Sequence, residues 1–142
     1  MSILKKTILA AAALSMTSIG FAGSAMADEA DKALGTWLRP KFGWHVEFGP
    51  CADDEAKLCG VVISGEGTDK TTGGDVVGVK MLFNMEKNDK KTKWIGKMYD
   101  PKGGGTYFGK VKILDDNRIK MSGCMMKIMC KSEKWTRVVE AE

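Results

Sequence analysis

The most distinctive chemical feature of the sequence is the segment Cys124-Met125-Met126-Lys127-Ile128-Met129-Cys130. Thiolate and thioether sulfurs are soft ligands that suit Cu(I), so two reduced cysteines among methionines could form a copper site. A Cys124–Cys130 disulfide would remove the thiolates, and methionine also fills irregular gaps in protein cores. We therefore expect a disulfide-closed turn with methionines partly in the core. We predict no metal site and no cofactor, and copper binding ranks third among the functions considered.

The residue types that usually perform catalysis form no recognisable group in this sequence. His45 is the only histidine, and no G-x-S-x-G motif supplies a serine for it to activate. The consecutive acids Asp53, Asp54 and Glu55 are typical of a solvated loop rather than of paired catalytic carboxylates. The triplet Gly103-Gly104-Gly105 lacks the helix and the Lys-Ser/Thr pair of a phosphate loop, so it predicts a hairpin turn. The sequence thus favours a protein that is not an enzyme, with no catalytic residues.

The four cysteines, Cys51, Cys59, Cys124 and Cys130, indicate two disulfides in an exported protein. Of the three pairings, we favour 51–59 and 124–130, because each pair brackets a short segment that can fold back on itself. Local closure would stabilise by about 2.5 kcal/mol per bridge, against more than about 4 kcal/mol for cross-pairing, so energy leaves the connectivity open. Six extended steps span roughly 20 Å, whereas a disulfide tolerates about 7 Å between Cα atoms. A 124–130 bridge therefore requires a turn.

Export is expected because residues 1–27 have the layout of a secretory signal peptide. A cationic start precedes an apolar run, and Ala25-Met26-Ala27 provides an A-x-A cleavage pattern. Cleavage there gives a mature start near Asp28 and a single domain over residues 28–142. No second hydrophobic segment follows, so we expect no transmembrane span after cleavage. The predicted location is periplasmic or secreted.

The charge balance argues against a nucleic-acid partner. The whole chain has 22 basic and 18 acidic residues; Lys5 and Lys6 belong to the signal peptide, which leaves 20 basic residues in the mature part. Lysines cluster over residues 87–93, but acids interrupt them, as in a solvated loop.

Downstream of Gly35, apolar and polar residues alternate over short stretches that are separated by Gly, Asp, Asn or Pro. The predicted strands are 35–38, 44–48, 58–64, 76–83, 93–99, 107–113, 118–122 and 133–139. Helical periodicity occurs only over residues 28–34, which predict a short N-terminal helix. The predicted fold is all-β: a small antiparallel up-and-down barrel of about eight strands, lipocalin-like, because closure removes exposed sheet edges. A β-sandwich is the alternative.

The two ends of the domain favour the barrel. Gly35-Thr36-Trp37 opens the first predicted strand and Trp135-Thr136-Arg137 lies in the last. This arrangement resembles the lipocalin and calycin pattern, in which an arginine of the final strand covers a tryptophan of the first. The resemblance implies that Gly35, Trp37 and Arg137 mark the closure of the barrel, with Trp37 in its floor. A guanidinium over an indole stabilises by about 0.5–2 kcal/mol.

The order of motifs is also similar to a bacterial envelope family, domain of unknown function 2147. The matching motifs are Gly35-x-Trp37, Leu58-Cys59-Gly60, Trp94-x-Gly96-Lys97-x-Tyr99-Asp100-Pro101, Gly105-x-Tyr107 and Trp135-Thr136-Arg137. The resemblance covers about residues 34–139 and implies a small exported β protein, without implying any activity. Segments 87–93, 103–105 and 124–130 depart from the family pattern, so their features belong to this chain.

The barrel interior is where a ligand is expected. The candidate cavity residues are apolar or aromatic: Trp44, Phe48, Met98, Tyr107 and Met121. An eight-stranded barrel is either filled by side chains or holds one small ligand. We expect a small apolar or amphipathic envelope molecule to bind there. The alternative is a packed barrel that serves as a structural or protein-interaction module of the envelope, with another envelope protein as partner.

Overall fold

The computed structural model describes residues 27–126 and 128–139. Eight antiparallel strands close into one barrel, in which each strand pairs with its neighbours along the chain and the last pairs with the first. The strands are β1 (Gly35–Arg39), β2 (Trp44–Pro50), β3 (Leu58–Ser64), β4 (Lys80–Lys87), β5 (Lys93–Tyr99), β6 (Thr106–Asp115), β7 (Arg118–Met125) and β8 (Met129–Arg137). The predicted up-and-down barrel is therefore confirmed over the sandwich. The predicted signal peptide lies outside the described residues except for Ala27.

Two strands differ in position from the prediction. The fourth was predicted at 76–83 but begins at Lys80, because residues 65–79 form a long loop that carries the fully buried Val76 into the core. The apolar pattern correctly predicted that Val76 is buried, but this residue lies in a loop and not in a strand. The last strand begins at Met129, four residues before the predicted start, because it pairs with β7 all the way to the turn.

A short helix closes one end of the barrel. The predicted helix over 28–34 is a five-residue 3₁₀ helix, Glu29–Ala33, in which Ala30 and Ala33 are fully buried. The Trp94 indole N–H donates to the Ala30 carbonyl (2.7 Å), and that of Trp37 donates to the Ala33 carbonyl (2.8 Å). Two core tryptophans thus hold this helix over one end of the barrel, which we name the closed end.

The seam between β1 and β8 lies at the closed end. Trp37 pairs with Arg137 in the strand register, and the Arg137 guanidinium carbon lies 4.3 Å from the Trp37 ring centroid. Arg137 also donates to three backbone carbonyls, those of Lys32, Leu34 and Asp116, at 2.6–2.9 Å. Gly35 has φ +124°, and a Cβ there would lie 2.5 Å from Arg137 Nη1. Gly35, Trp37 and Arg137 therefore meet at one point, where the barrel closes.

Both disulfides are local. Cys51 pairs with Cys59 beside the β2–β3 turn, and Cys124 pairs with Cys130 across β7 and β8 with 4.0 Å between Cα atoms. Cys124 and Cys130 are direct neighbours in the strand register. The local pairing and the required turn between these two cysteines are thus both confirmed.

A row of glycines lets methionines fill the barrel interior. Gly96, Gly109 and Gly123 are cross-strand neighbours on β5, β6 and β7. An added Cβ would meet Met85 Cα at 2.9 Å from Gly96 and Met98 Cβ at 2.8 Å from Gly109, but no atom closer than 3.4 Å from Gly123. The interior is therefore tightly packed at Gly96 and Gly109 and opens towards Gly123.

Candidate functional site: a cavity at the open end of the barrel

The end opposite the 3₁₀ helix contains a cavity of about 550 Å³. We name this the open end; the turns β1–β2, β3–β4, β5–β6 and β7–β8 surround it. The apolar wall of the cavity consists mainly of methionines: Met81, Met98, Met121, Met125 and Met129. Side chains alternate between the two faces of a strand, so Met121, Gly123 and Met125 all point inwards from β7. Of the three methionines that made the β7–β8 segment unusual in sequence, Met125 and Met129 therefore line this cavity.

Three of the five candidate cavity residues line this space. Met98, Tyr107 and Met121 lie on its wall. Trp44 does not, because Phe42 and Gly65 cover its ring and its indole N–H donates to the Glu66 carbonyl. Phe48 does not either: it is buried between Trp37 and Trp135, with ring centroids 6.5 and 5.9 Å away.

The assignment of Trp44 and Phe48 to the cavity is thus corrected to core packing. Alternation along a strand identifies residues that face inwards. It does not indicate how deep in the barrel a residue lies or whether a loop covers it.

A charged cluster forms the polar part of the cavity wall. Arg39 is only 7 % exposed. It donates from Nε and Nη2 to the two carboxylate oxygens of Glu133 (2.9 and 3.1 Å) and from Nη1 to Asp100 Oδ1 (3.1 Å). Its guanidinium also stacks over Phe42, Trp44 and Trp135 at 4.6–5.9 Å. The two-point contact with Glu133 fixes the orientation of both side chains.

The electrostatics keep Arg39 and Glu133 ionised. Burial raises the pKa of Glu133, but hydrogen bonds from Arg39 and Trp135 and the charges of Arg39 and Lys41 outweigh it, so the pKa lies below its usual value. Burial lowers the pKa of Arg39, and the hydrogen bonds and charges of Glu133 and Asp100 more than reverse this. A buried arginine with two carboxylates therefore faces a space that methionines and the lysines Lys41 and Lys131 also line.

Arg39, Asp100 and Glu133 are functional candidates that the sequence reasoning missed, although a signal for them existed. Alternation from Trp37 puts Arg39 on the inner face of β1, and an inward arginine needs a carboxylate partner. The same alternation from Trp135 puts Glu133 on the inner face of β8. Asp100 lies within the Tyr99-Asp100-Pro101 block that carried the family resemblance.

That block also shapes the mouth of the cavity. The Tyr99 hydroxyl donates to the buried carboxylate of Asp69 and lies 2.6 Å from Thr71 Oγ1. The Lys70 N–H donates to the Pro101 carbonyl (2.9 Å). The long β3–β4 loop is thereby anchored to the β5–β6 turn beside the cavity.

Within the described residues, the structure shows no copper site or other metal site of the kind considered from the sequence. The Cys124–Cys130 disulfide leaves no thiolate for copper in the Met-rich segment. Among residues 27–126 and 128–139, no three His, Cys, Asp or Glu side chains are grouped so as to hold a metal ion. In those same stretches, no helix has both the length and the hydrophobicity needed to cross a membrane.

Comparison with known proteins agrees with the sequence motifs and the fold. Residues 35–137 match the family described as "Uncharacterized protein conserved in bacteria (DUF2147)". Among solved structures, the chain is similar to protein HP1028 from Helicobacter pylori, described as belonging to the lipocalin family, with a TM-score of 0.59 and 19% sequence identity. The similarity covers 75% of this chain and 83% of that one. No curated protein sequence matches the chain significantly. With the family match running from the start of β1 to the end of β8, the protein belongs to the DUF2147 family and has a lipocalin-like fold.

Proposed function

We propose that the protein binds one small amphipathic molecule in the cavity at the open end of the barrel. The observation that carries this proposal is the cavity itself: about 550 Å³ of space with a methionine wall and a buried Arg39–Glu133 ion pair. Ligand sites typically have volumes of about 300–1,000 Å³, mostly apolar walls and a few fixed polar groups. The cavity has each of these properties.

The wall chemistry favours a particular kind of ligand. Methionine side chains are flexible and polarizable, so they adapt to an apolar body of irregular shape. The Asp100 and Glu133 side chains keep 27% and 30% of their surface exposed, whereas that of Arg39 keeps 8%. Within this cluster the accessible polar atoms are therefore mainly carboxylate oxygens, which accept hydrogen bonds. The ammonium groups of Lys41 and Lys131 also line the cavity. We expect a ligand with an apolar body and a hydroxyl or amine group that donates to these carboxylates.

The proposed site of action is the cell envelope or the exterior, and the proposed role is binding without catalysis. Two disulfides suit an oxidising compartment. The signal-peptide prediction supports export, and the ligand is then a molecule of the envelope.

A second candidate function rests on the exposed tip of the β7–β8 turn. Met126 is 89% exposed and Ile128 is 85% exposed. Exposed apolar side chains of this kind often mark a contact with another protein, as the packed-barrel alternative requires. The same tip lies at the mouth of the cavity, so the two functions need an experiment that separates them.

Filling the cavity provides that experiment. In Gly123→Leu the new side chain would grow into the cavity beside Met98 Cε, where its Cβ meets only ordinary contacts. In Gly49→Leu the same substitution is made on β2, where no atom lies within 4 Å of the added Cβ. The tip is unchanged in both variants.

The probe is N-phenyl-1-naphthylamine, an apolar dye whose fluorescence rises on leaving water, with native mass spectrometry to detect any co-purified molecule. We expect wild type and Gly49→Leu to bind the dye and Gly123→Leu to lose most of this binding. Equal binding by both variants, or none by wild type, would contradict the proposal. Dye binding that disappears only when Met126 and Ile128 are replaced by serine would favour the tip instead.

A further inference from the structure

The outer wall of the barrel carries a row of four lysines in direct cross-strand register. Lys93 on β5 pairs with Lys112 on β6, Lys112 with Lys120 on β7, and Lys120 with Lys134 on β8. Neighbouring strands lie about 4.8 Å apart, so the row spans about 14 Å. Like charges directly opposite each other on a sheet are destabilising. Four lysines in succession therefore destabilise the folded protein.

A groove lies beside this row on the same outer surface. Its volume is about 250 Å³, and Lys93, Lys110, Lys112 and Lys120 line it together with two serines. Ser122 on β7 is opposite both Lys110 on β6 and Ser132 on β8, and the two serine hydroxyls are 2.9 Å apart. The groove thus combines several ammonium groups with hydroxyls that can donate hydrogen bonds.

Among the residues that the structure describes, no carboxylate forms an ion pair with these lysines. The outward positions of β5 to β8 include no Asp or Glu, because Glu133 points inwards to Arg39 and Asp115, at the end of β6, is paired with Arg118. Within the described residues, every ion pair found involves other cations. The positive charge is local, since residues 28–142 together have 20 basic and 18 acidic residues.

The backbone under the groove is rigid. The Cys124–Cys130 disulfide joins β7 to β8 and lines one side of the groove. The Ser122–Ser132 hydrogen bond joins the same strands two register positions further along. An anion that bound here would meet the serine hydroxyls on a backbone already held in place, which lowers the entropic cost of binding.

We propose that this groove is a binding site for an anion that carries two or more phosphate groups. Ammonium groups separated by one strand spacing can each contact a different phosphate, and the serine hydroxyls can donate to phosphate oxygens. Binding would relieve the repulsion within the row, which is otherwise uncompensated. The site is independent of the cavity, because the lysines and serines lie on the face of the sheet opposite to Met121, Gly123 and Glu133.

The test compares two double variants that remove the same charge. Lys112→Gln with Lys120→Gln removes two adjacent members of the row. Lys70→Gln with Lys90→Gln removes two exposed lysines outside it. The probes are inorganic tripolyphosphate, measured by titration calorimetry, and vesicles of cardiolipin, a lipid whose headgroup carries two phosphates, against vesicles of phosphatidylcholine, measured by co-sedimentation.

We expect wild type and the Lys70/Lys90 variant to bind alike and the Lys112/Lys120 variant to bind about tenfold more weakly or worse. The melting temperature of the Lys112/Lys120 variant should equal or exceed that of wild type, since a repulsion is removed; weaker binding then cannot reflect unfolding. Binding of tripolyphosphate would identify a soluble phosphorylated ligand, and binding of cardiolipin vesicles alone would identify lipid headgroups. Equal weakening in both double variants, or no binding of either probe by wild type, would overturn the proposal.

Discussion

Two arginines of this protein have opposite surroundings, and each organises one end of the barrel. Arg137 donates only to backbone carbonyls while it covers Trp37 at the closed end. Arg39 donates only to carboxylates and lies beside the cavity at the open end. Because a guanidinium has donors in a fixed planar fork, it can satisfy several acceptors and stack on a ring at the same time. Lysine, with one ammonium, cannot replace either arginine.

We predict that Arg137→Ala lowers the free energy of unfolding by about 1–2 kcal/mol, through lost stacking and lost hydrogen bonds. Arg137→Lys should recover only part of this loss. Arg118→Ala is the matched control, because Arg118 is an exposed arginine with one surface ion pair, and its loss should cost less than about 0.5 kcal/mol. Urea denaturation midpoints measure all three. Coincident midpoints for wild type and Arg137→Ala would refute the role in closure.

Glu133 should make the stability depend on acidic pH. Its pKa in the folded protein lies below the usual 4.5, so its contribution to stability is complete above about pH 4.5 and is lost as the pH falls through the lower, folded-state pKa. We predict that Glu133→Gln lowers stability at pH 7 by about 1–3 kcal/mol, because Arg39 keeps only Asp100 as a charged partner.

The same variant should lose less stability than wild type as the pH falls below about 4.5, because wild-type Glu133 becomes protonated only below its usual pKa. Thermal denaturation at a series of pH values measures both effects. Glu47→Gln, at an exposed position on β2, should follow the wild-type pH profile. If Glu133→Gln also follows it, the ion pair does not contribute as described.

Among the strands, the glycine row of β5, β6 and β7 decides which part of the interior is filled. Side chains at these positions would occupy the space that Met85 and Met98 now use. At Gly123, towards the open end, a side chain would meet no such close contact. Close packing beside Gly96 and Gly109 and a cavity beside Gly123 are thus two consequences of one row.

The glycine row supports a prediction in which alanine replaces two of its members. Gly109→Ala should destabilise by about 1–3 kcal/mol, because the new Cβ would lie 2.8 Å from Met98 Cβ, an atom that moves only with its backbone. Gly123→Ala should be neutral or stabilise by up to about 1 kcal/mol, because its Cβ fits and the unfolded chain loses entropy. Chemical denaturation of the pair measures the difference. Equal effects would mean that packing around the row is looser than its geometry indicates.

At the scale of the barrel, the described residues form a closed end covered by the 3₁₀ helix, an open end with a methionine-lined cavity, and a lysine-rich outer wall over β5 to β8. The proposed small ligand and the proposed phosphate-bearing anion use different surfaces, so either can bind without the other. A barrel whose strands pair with their sequence neighbours can separate functions in this way, because inward and outward residues alternate on every strand.

For the molecule as a whole, we predict the covalent state of the protein when it is made in its own host. Its intact mass should equal that of residues 28–142 less four hydrogens, as export, cleavage after Ala27 and two disulfides require. Alkylation should modify no cysteine before reduction and four after it. A full-length mass, or four alkylated cysteines without reduction, would contradict export and oxidation.

Local patterns were sufficient to predict much of this structure. Alternation and turn residues predicted the eight strands, and the spacing of the cysteines favoured the pairs that form. The positions of Trp37 and Arg137 matched the seam because the first and last strands of a closed barrel must meet. Each of these features depends on neighbours in sequence or on the two chain ends, which can be read without coordinates.

The sequence by itself therefore determined the approximate positions of most strands and favoured a closed barrel over a sandwich, since these follow from a period of two, from short turns and from the motifs at the two ends of the domain. Only the tertiary structure decided how deep in the barrel each inward residue lies and which residues it contacts. It places Trp44 and Phe48 in the core and Met98, Tyr107 and Met121 on the wall of a cavity. It also brings Arg39 to Glu133 and Asp100 and aligns four lysines in one row. These facts depend on the register between strands distant in sequence and on which loops fold over the barrel. Alternation within one strand contains no information about either.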